Sequence, residues 1–203
     1  MKRPLFIFAA MILIFWGCSK ENELKKSVFI SDKEFTDLPS YSEWGYNTFG
    51  AYYDRLPFIS NNSSVPTKVI VLDTAMSFVL GGQLQAGNQY YEDNLHEMSI
   101  TFNIAGFAPQ QYPALIVLND TILDLKNPEY QVIVSDGTMK YNTTILSGEL
   151  NFKRAQNLLV DKKQIEVILS GYFEFKALIG GKPVTVSDGR FDVGISQDNF
   201  YMY

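Results

Sequence analysis

From Trp44 onward the chain alternates apolar and polar side chains with a period of two. Met98, Ile100, Phe102 and Ile104 are separated by Ser99, Thr101 and Asn103. Successive side chains of an extended chain point to opposite faces, so this pattern predicts a strand with one buried and one wet face. Leu146, Gly148, Leu150 and Phe152 repeat it, as do Ile165, Val167, Leu169, Gly171, Phe173 and Phe175, and again Phe191, Val193 and Ile195. The runs Lys68–Leu72, Met76–Leu84, Leu115–Val117 and Tyr130–Val134 are rich in β-branched and aromatic residues and predict further strands.

Turn chemistry falls between these runs. Asp136-Gly137, Gly180-Gly181 and Asp188-Gly189 supply the positive φ that tight hairpins need, and each predicts a turn. Gly81-Gly82 lies inside a strand-like run and predicts a bulge or a tight bend. Only Asn151–Asp161 reads as helical, and its Leu158, Leu159 and Val160 are too clustered for a long amphipathic face; a loop between two hairpin strands is the other reading. The fold class that follows is all-β, an antiparallel β-sandwich, with a lipocalin-like closed barrel as the alternative. Period two does not separate two packed sheets from one sheet closed on itself.

The N-terminal part follows different rules. Lys2 and Arg3 precede a run of apolar residues from Leu5 to Trp16, followed by Gly17 and Cys18, the single cysteine. A membrane-spanning helix needs about 20 apolar residues, whereas a secretory signal has a basic start, an apolar core of about 7 to 15 and a small residue at its cleavage site. Phe15-Trp16-Gly17-Cys18 resembles a lipobox in its last two positions and departs from it at bulky Phe15 and Trp16. The resemblance implies lipidation of Cys18, with palmitate among the acyl chains, and firm anchoring, since each buried CH₂ contributes about 0.8 kcal/mol. The expected organisation is a signal peptide over 1–17, the lipidated Cys18 and a charged tether over 18–43, and one all-β domain over 44–203. Within the tether, Ser31 or Asp32 could cap a short helix near Ser31–Leu38.

Loss of residues 1–17 removes Lys2 and Arg3 and leaves 15 basic against 22 acidic side chains, a net charge of −7. Phosphate binding needs a basic footprint, so nucleic acid is not an expected partner. A lipidated Cys18 leaves no thiol for a disulfide, for catalysis or for a metal.

Catalytic constellations are sparse. The one histidine, His96, has no G-x-S-x-G motif to accompany it and reads as a rim residue before a strand. Asp73, Asp120, Asp124, Asp136, Asp188 and Asp192 could supply the facing carboxylates of a glycan hydrolase, but no spacing selects a pair. Asp188-Gly189-Arg190-Phe191-Asp192 could shape a calcium site, but it lacks the oxygen-rich loop of that type, and an internal Arg190–Asp192 pair is at least as good a reading. No cofactor and no metal are expected. Sugar faces stack on exposed rings, which makes Trp44, Tyr46, Tyr90 and Tyr91 the candidate ligand-binding residues. Asp73-Thr74-Ala75 and Asp120-Thr121-Ile122 resemble the Asp-Ser/Thr-apolar sites of Bacteroidetes O-glycosylation, which implies Thr74 and Thr121 as acceptors.

Two longer segments carry a family resemblance. Tyr46-Asn47-Thr48-Phe49-Gly50-Ala51-Tyr52 and Ser187-Asp188-Gly189-Arg190-Phe191-Asp192-Val193 are similar to the opening and closing strands of small Bacteroidetes surface lipoprotein domains of uncharacterised function. The resemblance implies an all-β lipoprotein on the outer membrane, facing the cell exterior or alternatively the periplasm, and transfers no catalytic residue. The two segments are expected to pair with each other. The expected function is non-enzymatic binding of a glycan or a protein partner. An accessory subunit of an envelope complex is the alternative, and a carboxylate-dependent glycan hydrolase a weaker one.

Overall fold

The computed structural model describes residues 26–60, 66–85 and 95–203. The described chain is all-β, with strands β1 (Thr48–Tyr53), β2 (Leu56–Ser60), β3 (Thr67–Leu72), β4 (Ala75–Gln85), β5 (Leu95–Ala105), β6 (Thr121–Asp124), β7 (Tyr130–Ser135), β8 (Lys140–Val160), β9 (Lys163–Ile179), β10 (Lys182–Ile195) and β11 (Phe200–Met202). Every pairing is antiparallel except β11 with β3.

The pairings run in a circuit. β1 pairs β2, β2 pairs β4, β4 pairs β5, β5 pairs β7, and β7, β8, β9 and β10 follow in order until β10 returns to β1. The circuit is not a clean barrel. Along its edge opposite β5, β4 is shared between β3, opposite Ala75–Leu80, and β2, opposite Gly82–Leu84. β6 pairs with β8 off the main path.

Among the described residues eight fully buried phenylalanines fill the interior: Phe49, Phe58, Phe78, Phe102, Phe152, Phe173, Phe175 and Phe191. Their rings meet at 4.9 to 6.5 Å between centroids, mostly tilted or edge-on, the arrangement that ring quadrupoles favour. Burying one such side chain contributes about 1.5 to 3 kcal/mol. An eight-stranded circuit is just wide enough for side chains to fill it. Phenylalanine occupies the place where a lipocalin-like barrel would hold a ligand.

The expected strands are present, with local corrections. Phe191 lies opposite Phe49, and Thr48 opposite Asp192, so the opening and closing segments do pair. Leu115–Val117 belongs to a 3₁₀ helix, Tyr112–Leu118, which opens with Pro113 and buries only Leu115 and Leu118. Asn151–Asp161 is strand up to Val160, and its apparent helical clustering comes from register shifts near Arg154 and Leu159 that reset which side chains face inward. A further shift between Ile145 and Ser147 leaves Leu146 50% exposed, so the expected inward series starts only at Gly148.

Asp136-Gly137 and Gly180-Gly181 lie in hairpin turns, but Asp188-Gly189 does not. It is a bulge inside β10, with Asp188 at φ 54° and a register shift between Val186 and Gly189. Positive φ serves a bulge as well as a turn. Gly81 and Gly82 hold regular pairing with β5 and form no bulge. At Gly82 a Cβ would overlap the carbonyl oxygen of Ile59, so glycine there permits the close approach of β2.

Residues 26–46 lie against the outer face of β1, β10 and β9. Asp32 starts a turn by accepting the amides of Glu34 and Phe35 at 2.9 and 3.1 Å; the capping chemistry is present but no helix follows. Leu38 is fully buried, and Pro39 sits so close over Gly50 that a Cβ there would overlap its ring. Packing on the domain therefore begins inside the stretch that its charge pattern assigns to a tether ending at 43.

Candidate functional site

Alternation of burial disappears where this N-terminal strap crosses the sheet. Gly189 to Ile195 of β10 and Glu166 to Gly171 of β9 are buried on both faces, because the core covers one and the strap the other. The junction is Asp192. Its Oδ1 accepts the Gly45 amide at 2.8 Å and the Ser170 hydroxyl at 3.1 Å; its Oδ2 accepts the amides of Trp44 at 3.2 Å and Tyr46 at 3.1 Å, and the Ser42 hydroxyl. Asp192 is 2% exposed. A carboxylate withdrawn from water persists when donors replace its hydration, and each hydrogen bond to a charged group contributes about 1.5 to 3 kcal/mol.

Arg190, two residues earlier on the same face, reaches the strap instead of Asp192. Its Nη1 donates to Asp32 Oδ2 at 2.9 Å, and its guanidinium lies 5.2 Å over the Phe35 ring. The expected Arg190–Asp192 pair is thus replaced by contacts made separately to residues about 150 positions away. The amides of Phe35 and Glu34, with Arg190 assisting, hold the Asp32 carboxyl below its ordinary range.

This clamp displays rings. Trp44 is 75% exposed although its peptide is fixed by Asp192. Tyr46 is half-buried, its amide on Asp192 and its carbonyl accepting from Val28 at 2.8 Å. Tyr41 stacks on Tyr172 of β9 at 4.5 Å and 23°, and its hydroxyl donates to Glu43 at 2.9 Å. Burial, followed by that bond to Glu43, pushes the Tyr41 hydroxyl up from its ordinary value; burial also raises Tyr172. Sequence reasoning did not select the Tyr41–Tyr172 stack, whose partners come from distant segments. Tyr90, Tyr91 and Cys18 lie outside the described residues.

The remaining candidates are dispersed. Thr74 is exposed in the β3–β4 turn and Thr121 is half-buried at the start of β6. His96 is exposed opposite Leu84. Asp124 and Asp136 accept nearby backbone amides, Asp73, Asp120 and Asp188 occupy positive-φ positions, and Asp192 is enclosed by the strap. Bonds from Met139 and Thr138, then from Tyr141, hold the exposed Asp136 carboxyl well below the usual range. Among the described residues no group of three or more His, Cys, Asp or Glu could hold a metal, and no helix is long and apolar enough to cross a membrane.

On a different stretch of wall the outer face carries a groove. Cross-strand register places Gly81, Ser99 and Ser135 in one row across β4, β5 and β7, and the Gly81 amide donates to the carbonyl of Pro66, just before β3, at 2.8 Å. Taller side chains flank the row: Lys68, Val79, Thr101 and Ile133 on one side, Gln83 and Glu97 on the other. The resulting open cavity has a volume of about 370 Å³ and reaches Gly137 of the β7–β8 turn. No family model, no curated protein and no solved structure matches the chain.

Proposed function

We propose that this protein is a non-enzymatic, lipid-anchored envelope protein that binds a glycan on the outside of its β domain, with Trp44 as the stacking ring. The observation that carries the reading is Trp44 itself: a large apolar ring held 75% exposed on a peptide fixed by a buried carboxylate. A fixed backbone lowers the entropy lost on binding, and a flat ring matches the apolar face of a sugar. Anchoring through Cys18 and export to the outer membrane rest on the basic start, the apolar run and the lipobox resemblance.

A glycan array probed with the wild-type chain and with Trp44→Ala tests the binding reading. Retention of a glycan class by the wild type and at least tenfold weaker retention by the variant, at an unchanged unfolding midpoint, is the expected result. Retention of no glycan, or retention indifferent to Trp44, rejects it. Membrane partition and mature mass of Cys18→Ala test the anchor, with release or failed processing expected.

A second reading is docking on an envelope protein through a strand edge. What favours it is the short β11, whose Tyr201 and Met202, with the adjoining Tyr203, are exposed by 38, 57 and 79%. Exposure of Thr74 in its turn favours that residue over Thr121 as an O-glycan acceptor. Intact-mass measurement of native protein without added sugar rejects both.

A further inference from the structure

We infer that the groove across β3, β4, β5 and β7 is a second binding site, and that its ligand is a short peptide with a free amino group and a free carboxylate. The inference is independent of the Trp44 reading. It starts from two adjacent glycines with different reasons to exist. Gly82 faces inward, where a side chain would strike Ile59 and the Phe49 ring. Gly81 faces outward at ordinary strand φ, and among the described residues a Cβ there would meet nothing nearer than the Pro66 carbonyl oxygen at 3.9 Å. Folding does not require glycine at 81, and glycine weakens a strand interior. What its missing side chain does is lower the floor of the groove, in line with the small Ser99 and Ser135.

The walls specify the ligand. Lys68 stands on one side and Glu97 on the other, both exposed, and neither has an ion-pair or hydrogen-bond partner among the described residues. Lys68 is aligned with Val79 and Glu97 with Gln83, which puts the two charges two strands and four residues apart. With strands about 4.8 Å apart and residues about 3.3 Å apart, their Cα atoms are separated by about 16 Å. Inward-leaning side chains leave space between the charges for two or three extended residues at about 3.5 Å each. A peptide carboxylate would meet the Lys68 ammonium and a peptide amine the Glu97 carboxylate, with the Ser99 hydroxyl below to bond to the ligand backbone. Among the described residues the groove has no aromatic lining, which sets it apart from the Trp44 face and disfavours sugar stacking.

Titration of the full chain in detergent with trialanine, N-acetyl-trialanine, trialanine amide and maltotriose, read by calorimetry, tests the assignment. Trialanine should bind, each blocked peptide at least tenfold more weakly, and maltotriose not at all. Gly81→Val should abolish binding while keeping the unfolding midpoint, and Gly81→Ala should weaken it. Lys68→Ala should erase the preference for a free carboxylate, and Glu97→Ala that for a free amine. Absence of trialanine binding, equal binding of the blocked peptides, undiminished binding to Gly81→Val, or maltotriose bound in place of trialanine overturns the proposal. Glycan retention through Trp44 is untouched by these variants, so the two binding readings fail separately.

Discussion

Two stretches of the same outer wall have opposite fates. Over β9, β10 and β1 the polar side chains of the wet face are engaged by the protein's own strap: Asp192 by three backbone amides and the Ser42 hydroxyl, Arg190 by Asp32 and Phe35. Over β3, β4, β5 and β7 Lys68 and Glu97 face solvent without a partner among the described residues. The difference separates polar residues that hold the fold together from polar residues left for something else. Charge alone does not make the distinction; the register of neighbouring strands and the path of the strap do.

The largest expected effect comes from uncovering the first stretch. Asp192→Ala removes the common acceptor of Trp44, Gly45 and Tyr46 and should destabilise the protein by about 2 to 4 kcal/mol in denaturant unfolding, because donors that bonded to a buried carboxylate lose their acceptor. Hydrogen exchange at those three amides should accelerate far more than at Ile100 of β5. Equal acceleration everywhere would mean that the strap is no separate unit.

The same substitution placed on each face sharpens the contrast. Gly50→Ala drives a methyl group into Pro39 and should lose about 1 to 3 kcal/mol, whereas Gly81→Ala should gain about 0.5 to 1 kcal/mol because alanine is less free than glycine in the unfolded chain. Similar effects at both positions would remove the distinction. Asp32→Asn should cost about 1 kcal/mol at neutral pH, the range of a partly exposed ion pair. The folded carboxyl of Asp32 lies below its ordinary value of 3.8, so its stabilisation is complete above that value and lost as the pH falls through the lower folded value. A wild-type stability profile that falls on acidification more steeply than that of Asp32→Asn is the expected observation.

An effect of similar size is expected in the β8–β9 turn. Asp161 and Lys162 both have positive φ, at 50° and 66°, which glycine adopts at no steric cost. Lys162→Gly should raise stability by about 1 kcal/mol, the cost of holding a residue with a side chain in that region.

Much of the wall was legible in the chain, because period two and turn dipeptides are local signals. Met98–Ile104 and the inward series Val167 to Phe175 follow from them directly, whereas the pairing of the Phe49 and Phe191 strands was expected only from the two segments that carry the family resemblance. The shifts at Ile145 and Arg154 were not legible, since a bulge reverses the inward phase without a residue type that announces it. The strap read as a tether because its polar, aperiodic residues find their partners beyond residue 150. Trp44 could be singled out as a ring, but its fixing by Asp192 needed the fold. The groove was illegible for a related reason: Gly81, Ser99 and Ser135 are aligned only by register, and a Gly-Gly pair in sequence suggests a bend before it suggests a floor.

Trp44 also offers the most direct measurement. The chain has two tryptophans, Trp16 and Trp44, so a Trp16→Phe chain reports from Trp44 alone. Its fluorescence should start water-like, in keeping with 75% exposure, and shift to the blue in a saturable way when a bound glycan covers the ring. Emission that stays water-like while glycan binding saturates, or a broad glycan panel that produces no binding, would contradict a binding domain that meets its ligand through an outward ring over a filled interior.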